Sequence, residues 1–178
     1  MNIFELLIIS IGLGMDACSV SISKGLCMNT YSLKKGIIIS LWFATFQLIM
    51  PLIGYYFGNI FGSNIKMYSH LIAAILLIIL GINMIKESNE EISITDDISF
   101  SSMIIPSIAT SIDALSVGIT FSLMDINIFS SSIIIFIITF ILSLIGSKVG
   151  NIFGNKYKNK SQVIGGLILI IMGIKMFI

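Results

Sequence analysis

The sequence has no arginine, a single histidine and two cysteines among its 178 residues, and only 11% of its residues are charged. Without arginine there is no guanidinium group, so a bidentate site for phosphate or carboxylate is excluded. Cys18 and Cys27 have neither the spacing of a CxxC redox pair nor that of a zinc site. The net charge of +1 indicates no nucleic-acid surface, and we expect no nucleic-acid partner.

The composition is dominated by apolar residues. They make up 56% of the chain, and the mean hydropathy of +1.05 is far above that of a soluble domain. A membrane-spanning helix needs about 20 apolar residues, and six stretches qualify, here termed predicted spans 1 to 6. No basic residue precedes span 1, so we expect it to be retained rather than cleaved as a signal peptide. The spans are 3–23, 35–61, 68–86, 103–124, 128–154 and 162–178.

The lysines are distributed unevenly between the two sides of the predicted bundle. Seven follow spans 1, 3 and 5, whereas two lie on the opposite side. Because lysine is enriched in cytoplasmic loops, this bias predicts that the loops after the odd-numbered spans are cytoplasmic and that both termini are outside. The seven are Lys24, Lys34, Lys35, Lys86, Lys156, Lys158 and Lys160, and the two are Lys66 and Lys175.

The chain contains an internal repeat. A shift of 92 residues aligns 52–62 with 144–154, with eight of eleven positions identical, and a shift of 97 aligns Asp16 with Asp113. Each half has three spans, so the second half enters the membrane from the opposite side, and inverted repeats of this kind are typical of secondary transporters. The predicted fold is an all-α membrane protein. It has a three-helix repeat at 1–88, an acidic cytoplasmic linker at 89–102 and an inverted three-helix repeat at 103–178.

Spans 2 and 5 carry a glycine at every fourth residue. Such small-xxx-small patterns let helix backbones approach closely in lipid, so we predict that these glycines are packing positions. They are Gly54, Gly58 and Gly62 in span 2, and Gly146, Gly150 and Gly154 in span 5.

Asp16 and Asp113 lie well inside spans 1 and 4. A carboxylate at that depth costs about 2.5–3.5 kcal/mol, and two at matched positions indicate a function. On a helical period, each shares a face with small and hydroxyl residues. Those residues are Gly12, Ser19 and Ser23 in span 1, and Ala109, Ser116 and Thr120 in span 4. The alternative is that both aspartates only hydrogen-bond to neighbouring helices and hold them together.

Two carboxylates brought together repel one another, so they need a cation or a proton between them. A ligand set made of oxygens suits hard divalent ions such as Mn²⁺, Mg²⁺ or Ca²⁺. Pro51 removes the helical hydrogen bond of the Gln47 carbonyl, which predicts a kink and a bare oxygen in span 2. A kink without any ligand role is the alternative. The predicted ligands are Asp16, Asp113, Gln47, Ser19 and Ser116.

Three motifs resemble those of the MntP family of manganese exporters: Gly14-Met-Asp-Ala17, Phe46-Gln-Leu-Ile-Met-Pro51, and the segment 109–118 with sequence ATSIDALSVG. The resemblance covers essentially the whole chain. It implies a small exporter, related to the lysine exporters, that removes Mn²⁺ from the bacterial cytoplasm across the plasma membrane. It also implies that Asp16 and Asp113 handle the metal, with manganese as the transported substrate and no cofactor.

Two other functions stay open at the level of the sequence. One is export of another small cation or an amino acid, which the lack of a basic or aromatic cage at mid-depth disfavours. The other is a membrane scaffold without transport. No Walker-type phosphate loop is present, so we predict alternating access coupled to protons rather than to ATP, and no enzymatic activity. The sequence indicates no oligomeric state.

Overall fold

The computed structural model describes residues 3–28, 30–61, 99–124 and 126–156, with the backbone alone at 59–61, 123 and 154–156. It also describes single positions inside predicted spans 3 and 6, at 75, 78, 79, 82 and 85 and at 163, 167, 168, 170, 171 and 174, all of which are helical. The remainder of these two spans, most of the predicted acidic linker and Gly62 lie outside the described residues. The count of six spans and the side of the termini therefore stay predictions.

Five helices make up the described ranges. They are α1 (Ile3–Leu26), α2 (Leu33–Phe61), α3 (Phe100–Ala109), α4 (Ile112–Leu123) and α5 (Ile128–Lys156). Three stretches within α1, α2 and α5 are long and apolar enough to cross a membrane: Ile3–Leu26, Leu33–Gly58 and Ile128–Phe153. The prediction of apolar helices at spans 1, 2 and 5 is thereby confirmed, with bounds that differ from the expected ones by no more than three residues.

The structure divides predicted span 4 into two helices. The span is a pair of helices, α3 and α4, bent by 46° at a break between them. Pro106 cannot donate a backbone hydrogen bond, and the hydroxyls of Thr110 and Ser111 donate back to carbonyls of the preceding turn, including Pro106 and Ser107. Hydroxyl groups that bond in this way compete with helical bonding and bend helices. The break at Thr110 and Ser111 is the local result.

Three extensive contacts join the described helices. The largest joins α1 to α5, and the other two join α2 to α4 and α2 to α5. Residue numbers at the contacts increase together along α1 and α5: Gly14 faces Thr139, and Ile22 faces Gly150. These two helices therefore run parallel. The helices α2 and α4 also run parallel.

Glycines make the close contacts in both parallel pairs. In α2, Gly54 meets the Leu115 carbonyl and Gly58 meets Ile119 and Ser122. In α5, Gly146 meets the Cys18 carbonyl and Gly150 meets the Ile22 carbonyl. A side chain at these positions would collide with the facing helix, which is the role of small residues at helix crossings in lipid. The last predicted packing glycine, Gly154, lies near the end of α5.

The outer face of α5 is strongly apolar. A row of isoleucines at every fourth position is about half exposed, with relative exposures between 49% and 53%. A soluble monomer rarely exposes a continuous apolar strip of this kind, whereas lipid covers it without cost. The row consists of Ile133, Ile137, Ile141 and Ile145. This exposure, together with the apolar helices, indicates an integral membrane protein.

Candidate cation site

Asp16 on α1 and Asp113 on α4 are brought together in the bundle. Their side chains are within hydrogen-bonding distance of each other, and both residues are half-buried. A hydrogen bond between two carboxyl groups requires a proton on one of them, and two unprotonated carboxylates require a cation between them. An arrangement of this kind can hold either a proton or a cation.

The break in span 4 changes the setting of Asp113. The sequence predicts a position in the middle of a continuous helix, but the structure puts Asp113 in the first turn of α4. Its Oδ1 accepts a hydrogen bond of 2.8 Å from the backbone N–H of Ala114. Asp16 lies instead in the middle of the uninterrupted helix α1. The two acids of the pair thus have different backbone surroundings.

Gln47 of α2 is completely buried and reaches both acid-bearing segments. Its Nε2 donates to the Thr110 carbonyl at 2.8 Å and to the Leu13 carbonyl at 3.3 Å. Its Oε1 is buried without a hydrogen-bond partner. Pro51 lies in α2, which continues unbroken to Phe61, so the kink stays a prediction. The unpaired oxygen is on the side chain that the sequence predicts as a ligand.

The two serines predicted as ligands differ in their bonding. The Ser19 hydroxyl donates to the Met15 carbonyl at 2.9 Å, within its own helix. The Ser116 hydroxyl is buried and has no partner. On α5, the hydroxyls of Thr139 and Ser143 are likewise buried and unpaired. Buried hydroxyls normally find a partner, and the Ser116 hydroxyl has none, whereas the Ser19 hydroxyl donates its proton and keeps its oxygen lone pairs.

A cation held by Asp16 and Asp113 would take its other ligands from neutral oxygens. Within the described residues, no group of three or more His, Cys, Asp or Glu side chains is placed to hold a metal ion. Two carboxylates with amide, hydroxyl and carbonyl oxygens form a ligand set that suits hard cations and disfavours zinc or copper.

A cavity of about 460 Å³ lies between α1 and α4, on the side of Asp16 nearer the N-terminus of α1. Its walls are mostly apolar, with Glu5 and Thr120 as the polar members. Val117 lines it one helical turn beyond Asp113. At Gly12, one turn from Asp16, an added Cβ would meet no described atom within 4 Å. The remaining lining residues are Ile8, Ile9, Phe121 and Met124.

Two parts of the site escaped sequence reasoning. One is the break at Thr110 and Ser111, for which Pro106 followed by several hydroxyl residues was the available signal. The other is the pair of hydrogen bonds from the Gln47 nitrogen. A sequence offers no signal for that contact, because the facing groups are backbone carbonyls.

Comparison with known proteins finds relatives that match the chain over nearly their whole length. A family model described as "Mntp: Putative manganese efflux pump" matches residues 30–177. The chain belongs to this family. A "Putative manganese efflux pump MntP" of Desulfitobacterium hafniense is 47% identical over 100% of this chain and 95% of its own length. Proteins with the same description from Acetivibrio thermocellus and Methanobrevibacter smithii are 45% and 38% identical, over 98% and 99% of this chain and 90% and 97% of their own lengths.

Membership confirms the resemblance to the MntP family, and the family's description is that of a transporter rather than an enzyme. No solved structure matches the chain. The geometry of the acidic pair therefore comes from this structure alone.

Proposed function

We propose that the protein exports Mn²⁺ from the bacterial cytoplasm as a multi-pass secondary transporter of the plasma membrane. The observation that carries the proposal is the meeting of Asp16 and Asp113, from two separate helices. The buried Gln47, whose Oε1 has no partner, bonds to the segment before each aspartate. The description of the relatives as manganese efflux pumps names the substrate. Asp16 and Asp113 bind the ion, with the oxygens of Gln47, Ser116 and Ser19 completing the ligand set.

The inverted repeat is part of the proposal. Under the shifts of 92 and 97 residues, the contact of Gly54 with Leu115 corresponds to that of Gly146 with Cys18. The contact of Gly58 with Ile119 corresponds in the same way to that of Gly150 with Ile22. These matched contacts support two copies of one unit related by a pseudo-two-fold axis, with the ion between α1 and α4. Transporters of inverted-repeat design bind substrate at this type of interface.

Alternating access is supported by the difference between the two ends of the bundle. At the C-terminal end of α1, Lys24 Nζ donates to the Ser102 carbonyl at 3.1 Å, and Asn151 Nδ2 donates to the Met28 carbonyl at 2.8 Å. A buried apolar cluster that includes Val20 and Met103 fills this end. The cavity between α1 and α4 lies toward the other end. We assign the packed end to the cytoplasm and the cavity to the route outward.

Proton exchange is the proposed coupling. A carboxyl pair that shares a proton when empty releases it when a divalent cation arrives, so export of the ion and entry of protons use the same two side chains. Export that continues unchanged after the proton gradient is collapsed in vesicles rules out this coupling without touching the export function.

The test of the function is the metal content of cells. Expression of the wild-type chain should lower cellular manganese, whereas magnesium, iron and zinc should stay unchanged. Expression of Asp113→Asn, with equal protein in the membrane, should leave manganese at the level of cells without the chain. A fall in a different metal points to another cation exporter. Equal manganese with and without wild-type expression contradicts manganese export and leaves the scaffold alternative.

A further inference from the structure

The break between α3 and α4 exchanges one helical hydrogen bond for two others. In an uninterrupted helix, the Thr110 carbonyl would accept from the N–H of Ala114, four residues later. Here the Ala114 N–H donates to Asp113 Oδ1 at 2.8 Å. The Thr110 carbonyl accepts from Gln47 Nε2, also at 2.8 Å. A side chain of α2 therefore occupies the acceptor that Ala114 would otherwise use.

The Gln47 nitrogen also lies 3.3 Å from the Leu13 carbonyl of α1. Both of its neighbours are carbonyl oxygens, which only accept, so the amide nitrogen and not the amide oxygen must face them. Leu13 and Thr110 each precede one aspartate of the pair by three residues, and the 97-residue shift places them at equivalent positions. One amide group thus bridges matched carbonyls on the two segments that carry the acids.

We infer that Gln47 is a positioning residue of the cation site, acting through its nitrogen. By holding the Thr110 carbonyl, it leaves the Ala114 N–H for Asp113, and this bond orients the Asp113 carboxylate toward Asp16. By contacting the Leu13 carbonyl, it also fixes α1 relative to the break. The inference rests on the proposed function, and it assigns to the Gln47 nitrogen a role separate from that of the unpaired Oε1 as a ligand.

Gln47→Glu separates the two roles. Glutamate has nearly the same shape, retains oxygen ligands and adds a negative charge. A ligand role alone therefore predicts that Mn²⁺ binds as tightly as before or more tightly. A carboxylate has no N–H group and would face two carbonyl oxygens, which repel it. The Thr110 carbonyl would then be free to bond to Ala114, and Asp113 would lose its orienting partner.

The experiment is calorimetric titration of the purified full-length protein in lipid nanodiscs with Mn²⁺ and, separately, with Ca²⁺. For Gln47→Glu, Mn²⁺ should bind about tenfold more weakly or worse, as expected when a buried hydrogen-bond pair is broken. The ratio of Mn²⁺ to Ca²⁺ affinity should also change, because the spacing of the two carboxylates selects the ion size. Loss of general stability would not move this ratio in the protein that remains folded.

Ser40→Ala is the matched control. Ser40 is also buried in α2, but its hydroxyl donates to the Gly36 carbonyl of the same helix at 2.8 Å. Both affinities should stay at the wild-type level in this variant. Mn²⁺ binding to Gln47→Glu that equals or exceeds wild-type binding overturns the inference and leaves the proposed function standing.

Gln47→Met covers the case in which the glutamate variant does not fold. It is uncharged and of similar length, and it lacks both the donor and the oxygen, so it should bind Mn²⁺ more weakly than the wild type and with an altered ion ratio. Wild-type affinity in Gln47→Met overturns the inference. A wild-type protein that binds no Mn²⁺ overturns the proposed function itself, so the two failures are distinguishable.

Discussion

The parallel helix pairs α1/α5 and α4/α2 share a packing pattern but hold different polar groups. Glycines of α5 and of α2 face corresponding residues of α1 and α4 at two successive levels. Pro51 and Gly118 touch in one pair, whereas the corresponding positions of the other pair hold Ser143 and Ser21, with unpaired buried hydroxyls. Backbone packing thus follows the repeat in both pairs, while the side chains between the helices differ.

The largest expected effect comes from Asp16 and Asp113, which occupy equivalent positions in the two helix pairs. Asp16→Asn and Asp113→Asn should each weaken Mn²⁺ binding by about 100-fold or more, beyond the 10- to 100-fold typical of residues that only support metal ligands. The double variant should bind no worse than the weaker single variant, because the two carboxylates act as one site. Calorimetry on the purified variants measures this. Independent, additive losses would show that the two halves bind separately.

Glycine replacements should reveal where one pair is packed more tightly than the other. Gly150→Ala places a methyl group against the Ile22 backbone, whereas Gly58→Ala meets the movable Ser122 hydroxyl and, at 3.0 Å, the Ile119 Cα. Overpacking costs about 1–3 kcal/mol, and we expect Gly150→Ala to lower the midpoint of thermal unfolding more than Gly58→Ala.

The double variant Gly58→Ala/Ser122→Ala should recover part of the loss, because it removes the nearest obstructing atom. Thermal unfolding of the protein in detergent, followed by circular dichroism, checks both statements. Equal losses for the two glycines, without recovery, would contradict this difference between the pairs.

A block in the cavity should separate transport from binding. Val117→Trp adds bulk to the wall of the cavity between α1 and α4 at a residue that is not itself a predicted ligand, so Mn²⁺ uptake into inverted vesicles should fall several-fold while Mn²⁺ affinity is retained. Ile133→Trp, on the exposed face of α5, serves as the control and should transport normally. Normal export by Val117→Trp would exclude this cavity as the route.

The smallest effect is expected at Ser21 and Ser143, the polar positions that correspond to Gly118 and Pro51 in the other pair. Ser21→Ala and Ser143→Ala remove buried hydroxyls that have no partner, and such replacements are close to neutral or slightly stabilising. We expect the free energy of unfolding to stay within about 0.5 kcal/mol of the wild-type value and export to be unchanged. A clear loss of export in either variant would place these hydroxyls on the ion or proton path.

The sequence predicted those features that depend on hydrophobicity and repetition. Long apolar runs locate α1, α2 and α5, and the repeat pairs Asp16 with Asp113 before any contact is known. It did not predict the break at Thr110, because hydropathy does not register hydroxyls that compete for backbone carbonyls. The partners of the Gln47 nitrogen could not be predicted either, because they are backbone carbonyls, which every residue type has.

The three extensive helix contacts have a consequence for how the chain assembles. Among the described helices, all three join a helix from before the linker to one from after it, whereas α1 makes little contact with α2, and α4 little with α5. The two halves of the sequence are therefore interlocked rather than set side by side. During synthesis, the face of α1 that packs on α5 has to wait for α5 to emerge, whereas the glycine face of α2 finds its partner earlier, in α4.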